Sequence, residues 1–265
     1  MSETALQWQG VTLAFGGAAP VLQAVNLRVA AHEFLCIVGP TGCGKSTLLN
    51  LAAGLLAPSA GTIEVFGKPL TGINRRAGYL FQGDALLPWR NARENVAAGL
   101  IFHGRPRATA RAEADEWLGR VGLGAAAERY PHQLSGGMKK RVALAQMLAL
   151  KPEILLMDEP FSALDVQTRS LMENELLALW SAKRRAVVFI THDLEEAIAL
   201  GDRVVVMSAG PASRPVGEFV IDLPRPRDVA EIRMTPAFVD LHREIWQLLK
   251  GEVQKAYAAG AEART

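Results

Sequence analysis

Cysteine is scarce: Cys36 and Cys43 are the only two in 265 residues. That excludes a disulfide framework and any metal cage built from cysteine alone. Net charge is also small. Lys plus Arg is 29, Asp plus Glu is 27, and the formal balance of +2 gives a pI near 8.6. A balance this weak does not mark a nucleic-acid binder, and no nucleic-acid partner is expected. No apolar run approaches the roughly 18 residues that a membrane-spanning helix needs. The first residues, MSETALQWQG, lack a basic segment followed by an apolar stretch and do not read as a secretory signal. Internal repeats and low-complexity segments are missing too.

What is present is ordinary globular composition, 49% hydrophobic and 21% charged. At roughly 150 residues per domain, the length suits one to two domains, with enough chain to bury a core without staples. The mean hydropathy of +0.12 fits either a large core or a partner surface.

Short apolar-rich segments predict strands at Thr12–Phe15, Val21–Val29, Gly61–Phe66, Gly78–Phe81 and Val204–Met207. FLCIV (34–38), ILLMD (154–158) and AVVFI (186–190) are continuous apolar runs, as expected of strands buried on both faces. Helices are predicted at Lys45–Ala53, with Gly54 as its C-terminal cap, at Met138–Leu150 and at Leu171–Trp180. From Asn91 to about Leu150 the chain is rich in Ala, Arg, Glu and Leu, broken at Pro106 and Tyr130-Pro131, and reads as a helical insertion. Strands alternating with helices imply an α/β fold with a largely parallel sheet. Phe238, Leu241, Ile245, Leu248, Leu249 and Val253 space an amphipathic helix over Thr235–Tyr257, expected to pack on the domain rather than lie on a membrane. Ala258–Thr265 is expected to fray. Arg225 and Arg227 read as a solvated surface loop without function.

Residues 39–47 are GPTGCGKST. Glycine-rich turns between a buried strand and a helix let successive backbone N–H groups of Gly39, Pro40's neighbours, Thr41, Gly42, Cys43, Gly44, Lys45, Ser46 and Thr47 face phosphate oxygens. The helix start adds positive potential. Lys45 would neutralise the β- and γ-phosphates, and the Ser46 hydroxyl would hold Mg2+. Cys43 sits inside this loop. A helix start can lower a thiol pKa, but the simpler reading is a tolerated small residue. Cys36 reads as core.

ILLMDEP ends a hydrophobic strand in two acids. Alone, such acids are often just solvated. Beside a phosphate loop, Asp158 would hold Mg2+ through water, and Glu159 would orient or deprotonate the attacking water. His192, after the strand in FITHD, would hydrogen-bond the γ-phosphate. The remaining histidines have no such context.

GPTGCGKST, Gln82 after GYLF, LSGGM (134–138), MDEP, SALD (162–165) and His192 occur in an order and spacing that resemble the ATP-binding subunit of an ABC transporter. The resemblance covers roughly residues 5–220. It implies a P-loop NTPase (ABC ATPase) fold of α/β class, with a mostly parallel core sheet, an antiparallel β subdomain and a helical insertion subdomain. Residues 1–225 would form the ATPase domain, with the helical part at about 91–150, and 226–265 a C-terminal helical extension. It implies ATP and Mg2+, with Gln82 touching metal and water, and Phe15 stacking on the adenine, a role for which Trp8 is less suited. In the family two copies pack head to tail. Ser135, Gly136 and Gly137 of one copy would then complete the ATP site of the other, and Asp165 would couple the two sites.

Met138 departs from the family's usual Gln and removes one polar contact. FQGDALLPWRNARENV (81–96) and VIDLPRPRD (220–228) look like the nitrate, sulfonate and taurine importer ATPases. Close relatives of that branch take up aromatic sulfonates, cyanate, bicarbonate and thiamine-pyrimidine precursors. The resemblance implies a permease partner docked near Leu87, Pro88 and Trp89, an extracytoplasmic solute-binding protein acting indirectly, and a peripheral place on the cytoplasmic face of the cell membrane. The alternatives are a soluble ABC ATPase and an exporter ATPase. A single phosphate loop and the short span from Gln82 to Ser135 disfavour the first.

Overall fold

The runs FLCIV, ILLMD and AVVFI are buried at every position. They form β3 (Phe34–Val38), β7 (Ile154–Asp158) and β8 (Ala186–Ile190), in a computed structural model that describes residues 3–262 except Asp84 and Ala163. The last residues of the tail expected to fray, 263–265, lie outside the described residues, as do Asp84 within FQGDALLPW and Ala163 within SALD. In chain order, β1 (Thr4–Leu13) and β2 (Leu22–Ala30) precede β3. After it come α1 (Lys45–Ala52), β4 (Ala60–Val65), β5 (Lys68–Pro69) and β6 (Ala77–Leu80). Three helices follow: α2 (Ala92–Phe102), α3 (Arg107–Arg120) and α4 (Gly136–Ala149). Beyond β7 lie α5 (Val166–Ala182), β8, α6 (Leu194–Leu200), β9 (Arg203–Met207), β10 (Pro215–Val220), α7 (Val229–Ile232) and α8 (Pro236–Glu262).

Six strands form one sheet in the order β10-β9-β3-β8-β7-β6. All its pairings are parallel except β10 on β9. The other sheet, β2-β1-β4-β5, is antiparallel. Side chains alternate across the parallel sheet. Leu35, Ile37, Leu156, Val188 and Ile190 join α1 and the antiparallel sheet in one core. Phe34, Cys36, Val38, Met157 and Phe189 join α2–α6 and α8 in the other. Covering both faces is what lets these strands be apolar throughout. The helices α2, α3 and α4 pack on one another. The start of α2 is fixed by a capping box: Asn91 Oδ1 accepts from the Glu94 N–H at 2.8 Å, and Glu94 accepts from the Asn91 N–H.

Several boundaries differ from the sequence expectation. β1 starts at Thr4 rather than Thr12, because the alternation TALQWQGVTL survives a register shift between Trp8 and Val11, where Gly10 takes φ 59°. Trp8 is consequently a fully buried core residue. The antiparallel edge strand β10 is an addition. α5 begins at Val166, because Asp165 caps it. α4 begins at Gly136, capped by Ser135. α8 continues past Ala258 to Glu262.

Arg225 and Arg227 are not a solvated loop. The Arg227 guanidinium is buried and donates to the carbonyls of Ile198, Ala199, Gly201, Ile221 and Leu223. Three of these lie at the C-terminal end of α6, where carbonyls lack intrahelical partners. Arg225 pairs with Asp202 at 2.8 Å and donates to the Leu200 carbonyl at 2.7 Å.

Candidate functional site

β3 ends at Val38, and α1 starts at Lys45. The loop between them needs two left-handed residues, Gly42 at φ 77° and Gly44 at φ 99°. A Cβ at Gly44 would also come within 3.0 Å of the Val21 and Leu22 side chains. Glycine alone satisfies both demands. Gly39, Pro40 and Cys43 are buried, whereas Thr41, Gly42 and Ser46 are exposed and Thr47 is half-buried.

Lys45 is only 6% exposed, and among the described residues it makes no ion pair, although its charge acts on nearby Asp158. Its Nζ donates to the Gly39 and Pro40 carbonyls at 2.8 and 2.9 Å. Its third donor reaches only the Cys43 sulfur, at 4.0 Å. A buried ammonium held by neutral acceptors is a cation waiting for an anion. Cys43 itself is not an activated thiolate. Burial pushes its pKa up, and the nearby Lys45 only partly opposes this.

The end of β7 carries the acids. Asp158 Oδ1 accepts from the Ser46 hydroxyl at 3.1 Å. Burial raises the Asp158 pKa, against the lowering effect of that hydrogen bond. Among the described residues no group of three or more His, Cys, Asp or Glu could hold a metal. A hydroxyl beside one carboxylate is nevertheless an oxygen donor set for a hard cation that keeps several waters, so the site fits Mg2+. Tyr79, one strand over on β6, donates to Asn50 Oδ1 at 3.1 Å, and its own pKa is raised by burial and by Asp158.

Glu159 follows at φ 43°, its N–H bound to the Ile190 carbonyl at 2.9 Å. Its Oε2 accepts from Gln82 Nε2 at 3.2 Å, and His192 Nδ1 lies 3.1 Å from the same oxygen. The strand order β8-β7-β6 brings these three together, since each follows the C-terminal end of one of those adjacent parallel strands. The sequence directs Gln82 to metal and water and His192 to phosphate; in the structure both side chains also engage Glu159.

Lys140 is a member of this site that sequence reasoning missed. From α4 its buried ammonium donates to the Phe81 carbonyl at 3.3 Å and to the Gln82 carbonyl. It fixes the backbone that carries Gln82. The one available signal was a lysine two residues after LSGGM on the inward face of the helix.

The remaining residues stand apart. Among the described residues no hydrogen bond joins Phe15, Ser135, Gly136, Gly137 or Asp165 to the cluster. Phe15, in the loop after β1, is 51% exposed. Ser135 caps α4 by accepting from the Met138 N–H at 3.3 Å. Ser135 and Gly136 are exposed, and Gly137 packs against α5, where a Cβ would stand 3.0 Å from Thr168 Cγ2. Asp165 accepts from the Thr168 N–H at 2.9 Å, a bond that lowers its pKa. Trp89 is 70% exposed and not a core residue. Its loop is held by buried Asn95, which accepts from the Leu87 N–H at 2.7 Å and donates to the Leu87 and Arg90 carbonyls.

The family model "ABC transporter" matches residues 22–162. The chain is 44% identical over 224 residues to a bicarbonate transport ATP-binding protein of a Synechocystis species, covering 83% of this chain and 79% of the relative. It is 43% identical over 238 residues to a nitrate import ATP-binding protein of Synechococcus elongatus, covering 89% of this chain and 36% of that longer protein. Among solved structures, a dimeric ATP-binding cassette in a post-hydrolysis state bound to ADP and phosphate superposes with a TM-score of 0.73 at 31% identity. That match covers 83% of this chain and 100% of the cassette.

Proposed function

Because this chain belongs to the ABC transporter family and is an ATP-binding ATPase of that family, we propose that it powers an importer through a partner permease. The solute would be nitrate, a sulfonate, taurine or a related small compound such as bicarbonate. Similarity to nitrate and bicarbonate transport subunits supports this class, as do the LLPW and LPRPRD segments. The observation that carries the reading is Gln82. Its side chain touches the Glu159 carboxylate, and its backbone leads into the loop that exposes Trp89. One short segment thereby links the hydrolytic carboxylate to a surface suited to a permease.

The residues divide the work. Lys45 would give its weakly engaged donor to a phosphate oxygen, while the N–H groups of 39–47 cradle the chain of phosphates. Phe15 would offer its exposed ring to the adenine. Ser46 and Asp158, with the Gln82 amide oxygen, would hold Mg2+, which when bound neutralises charge on the phosphates. Glu159 would take a proton from the attacking water as its oxygen bonds to the γ-phosphorus and the bond to the leaving ADP oxygen breaks. His192 would orient Glu159 and share in γ-phosphate contact. The helix start at Ser135, Gly136 and Gly137, exposed at its first two residues, would be a second anion-binding end. A second, identical subunit would place it on the opposite nucleotide, with Asp165 at the same seam, in a two-fold pair. No described helix is long and apolar enough to cross a membrane, so attachment to the cytoplasmic face would run through the permease. An extracytoplasmic solute-binding protein would act on the permease from the far side.

The test is a pull-down of tagged Glu159→Gln protein from detergent-solubilised host membranes with ATP and Mg2+. Recovery of a multi-span permease supports the importer. Recovery of soluble partners or nucleic acid alone overturns it and leaves a soluble ABC ATPase.

A further inference from the structure

The helix α8 lies beyond the matched family segment, yet one of its side chains holds the turn that lies behind the phosphate loop. Glu252 is buried on α8, and its Oε2 accepts from the Ala209 N–H at 2.8 Å. Its Oε1 accepts from exposed Lys255 at 2.6 Å. Burial alone would raise the Glu252 pKa, but the hydrogen bonds from Lys255 and the Ala209 N–H hold it below the usual range, so the acceptor is an anion.

Ala209 begins the turn that follows β9, and this turn lies beside the nucleotide loop. A Cβ at Gly210 would stand 3.8 Å from both Cys43 Cα and the Gly42 carbonyl oxygen. The buried Ser213 hydroxyl donates to the Ser208 carbonyl at 2.8 Å and closes the turn on itself. The same turn grips the segment leading from Phe15 into β2. The Ala212 N–H donates to the Pro20 carbonyl at 2.6 Å, and the Ser213 N–H to the Val21 carbonyl at 3.0 Å. Val21 and Leu22 in turn press on Gly44. Residues 209–213 therefore brace both sides of the pocket, the phosphate side and the side that carries Phe15. An open cavity of about 390 Å³ is lined by Ala256 and Ala259 of α8, by Gly210 and Pro211 of the turn, and by Thr41 and Gly42 of the loop.

We infer that Glu252 is a positioning residue for nucleotide binding, through which the docking of α8 sets the shape of the phosphate loop. The inference rests on residues 39–47 being the ATP site, and not on the importer reading. A displaced 209–213 turn would loosen Gly42–Gly44 of the phosphate loop and the Val21–Leu22 wall behind Gly44, which act on a bound nucleotide before any bond breaks. The effect should therefore fall on binding rather than on the chemical step.

The experiment uses the full chain and a fluorescent ATP analogue with Mg2+, alongside steady-state ATPase assays. Glu252→Ala should raise the analogue Kd and the ATP KM at least about five-fold while kcat stays within about two-fold. Glu252→Gln, which keeps an acceptor for the Ala209 N–H, should recover most of the affinity. Lys255→Ala, which leaves that bond intact, should bind like wild type. If Glu252→Ala does not fold, Glu252→Asp, one methylene too short to reach Ala209, takes its place. A lowered melting temperature with unchanged Kd and KM would overturn the inference, as would a loss confined to kcat. A wild-type chain that binds ATP but captures no permease would overturn the importer reading and leave this one standing.

Discussion

Glu159 Oε2 and His192 Nδ1 lie 3.1 Å apart, and the Gln82 amide meets the same oxygen at 3.2 Å. Two side chains from neighbouring strand ends thus hold one oxygen of the carboxylate. The other oxygen carries no hydrogen bond among the described residues and is the one available to a water.

Glu159→Gln keeps the size and both neighbours but cannot accept a proton. General base catalysis typically contributes about 10²- to 10⁴-fold, so kcat for ATP hydrolysis should fall by at least roughly 100-fold. ATP affinity should remain within a few-fold of wild type, because Lys45 and the loop amides are untouched. Single-turnover hydrolysis and equilibrium binding of ATP separate the two effects. Hydrolysis at the wild-type rate would remove Glu159 from the role of base.

Glu196 gives a pH prediction. It is buried on α6, and burial pushes its pKa from an ordinary 4.5 to about 8; Glu173 and Asp193 add to the rise, while Thr191 and Arg169 oppose it. A carboxyl whose folded pKa exceeds its unfolded one binds more protons when folded. Its contribution is thus complete below about pH 4.5 and is lost as pH rises to about 8. The loss can reach about 1.4 kcal/mol per pH unit. Glu196→Gln stays neutral and removes that slope. Urea unfolding at about pH 5.5 and about pH 7.5 should show the variant gaining on wild type as pH rises. A constant difference across that range would mean that Glu196 titrates normally.

Arg227 gives the largest stability prediction. Arg227→Ala strands carbonyls at the end of α6 and of Ile221 and Leu223 in a buried setting. A buried carbonyl left without its donor costs about 1–3 kcal/mol, so losing several together should cost about 3 kcal/mol or more, which for a chain of this size lowers the melting temperature by roughly 6–12 °C. Arg227→Lys keeps the charge but not the fork, and should fall between. Scanning calorimetry reads the order directly. Variants that melt with wild type would return Arg227 to the solvated loop.

Legibility followed distance along the chain. The phosphate loop and the acidic strand end were readable because each is one short segment whose neighbours in sequence are its neighbours in space. The all-apolar β3, β7 and β8 were readable because burial on both faces leaves no polar position. β1 is only half legible: Leu6, Gln7, Trp8 and Gln9 alternate, but the bulge at Gly10 shifts the parity before Val11, and only pairing with β2 and β4 shows that one strand runs through it. Arg227 was misread because its acceptors lie at 198–201 as well as at 221 and 223, and no local pattern joins an arginine in a proline-rich stretch to the end of an earlier helix. That Gln82 and His192 share an oxygen of Glu159 depends on strand order, which the sequence encodes only collectively.

The backbone of Glu159, at φ 43°, has a consequence for directed evolution. A left-handed glutamate is strained by roughly 1 kcal/mol relative to glycine or asparagine. A library screened for heat resistance alone would be drawn to Gly or Asn at this position and would enrich inert protein. Only a screen that also demands turnover would retain the acid, so thermal tolerance and activity pull in opposite directions at this one residue.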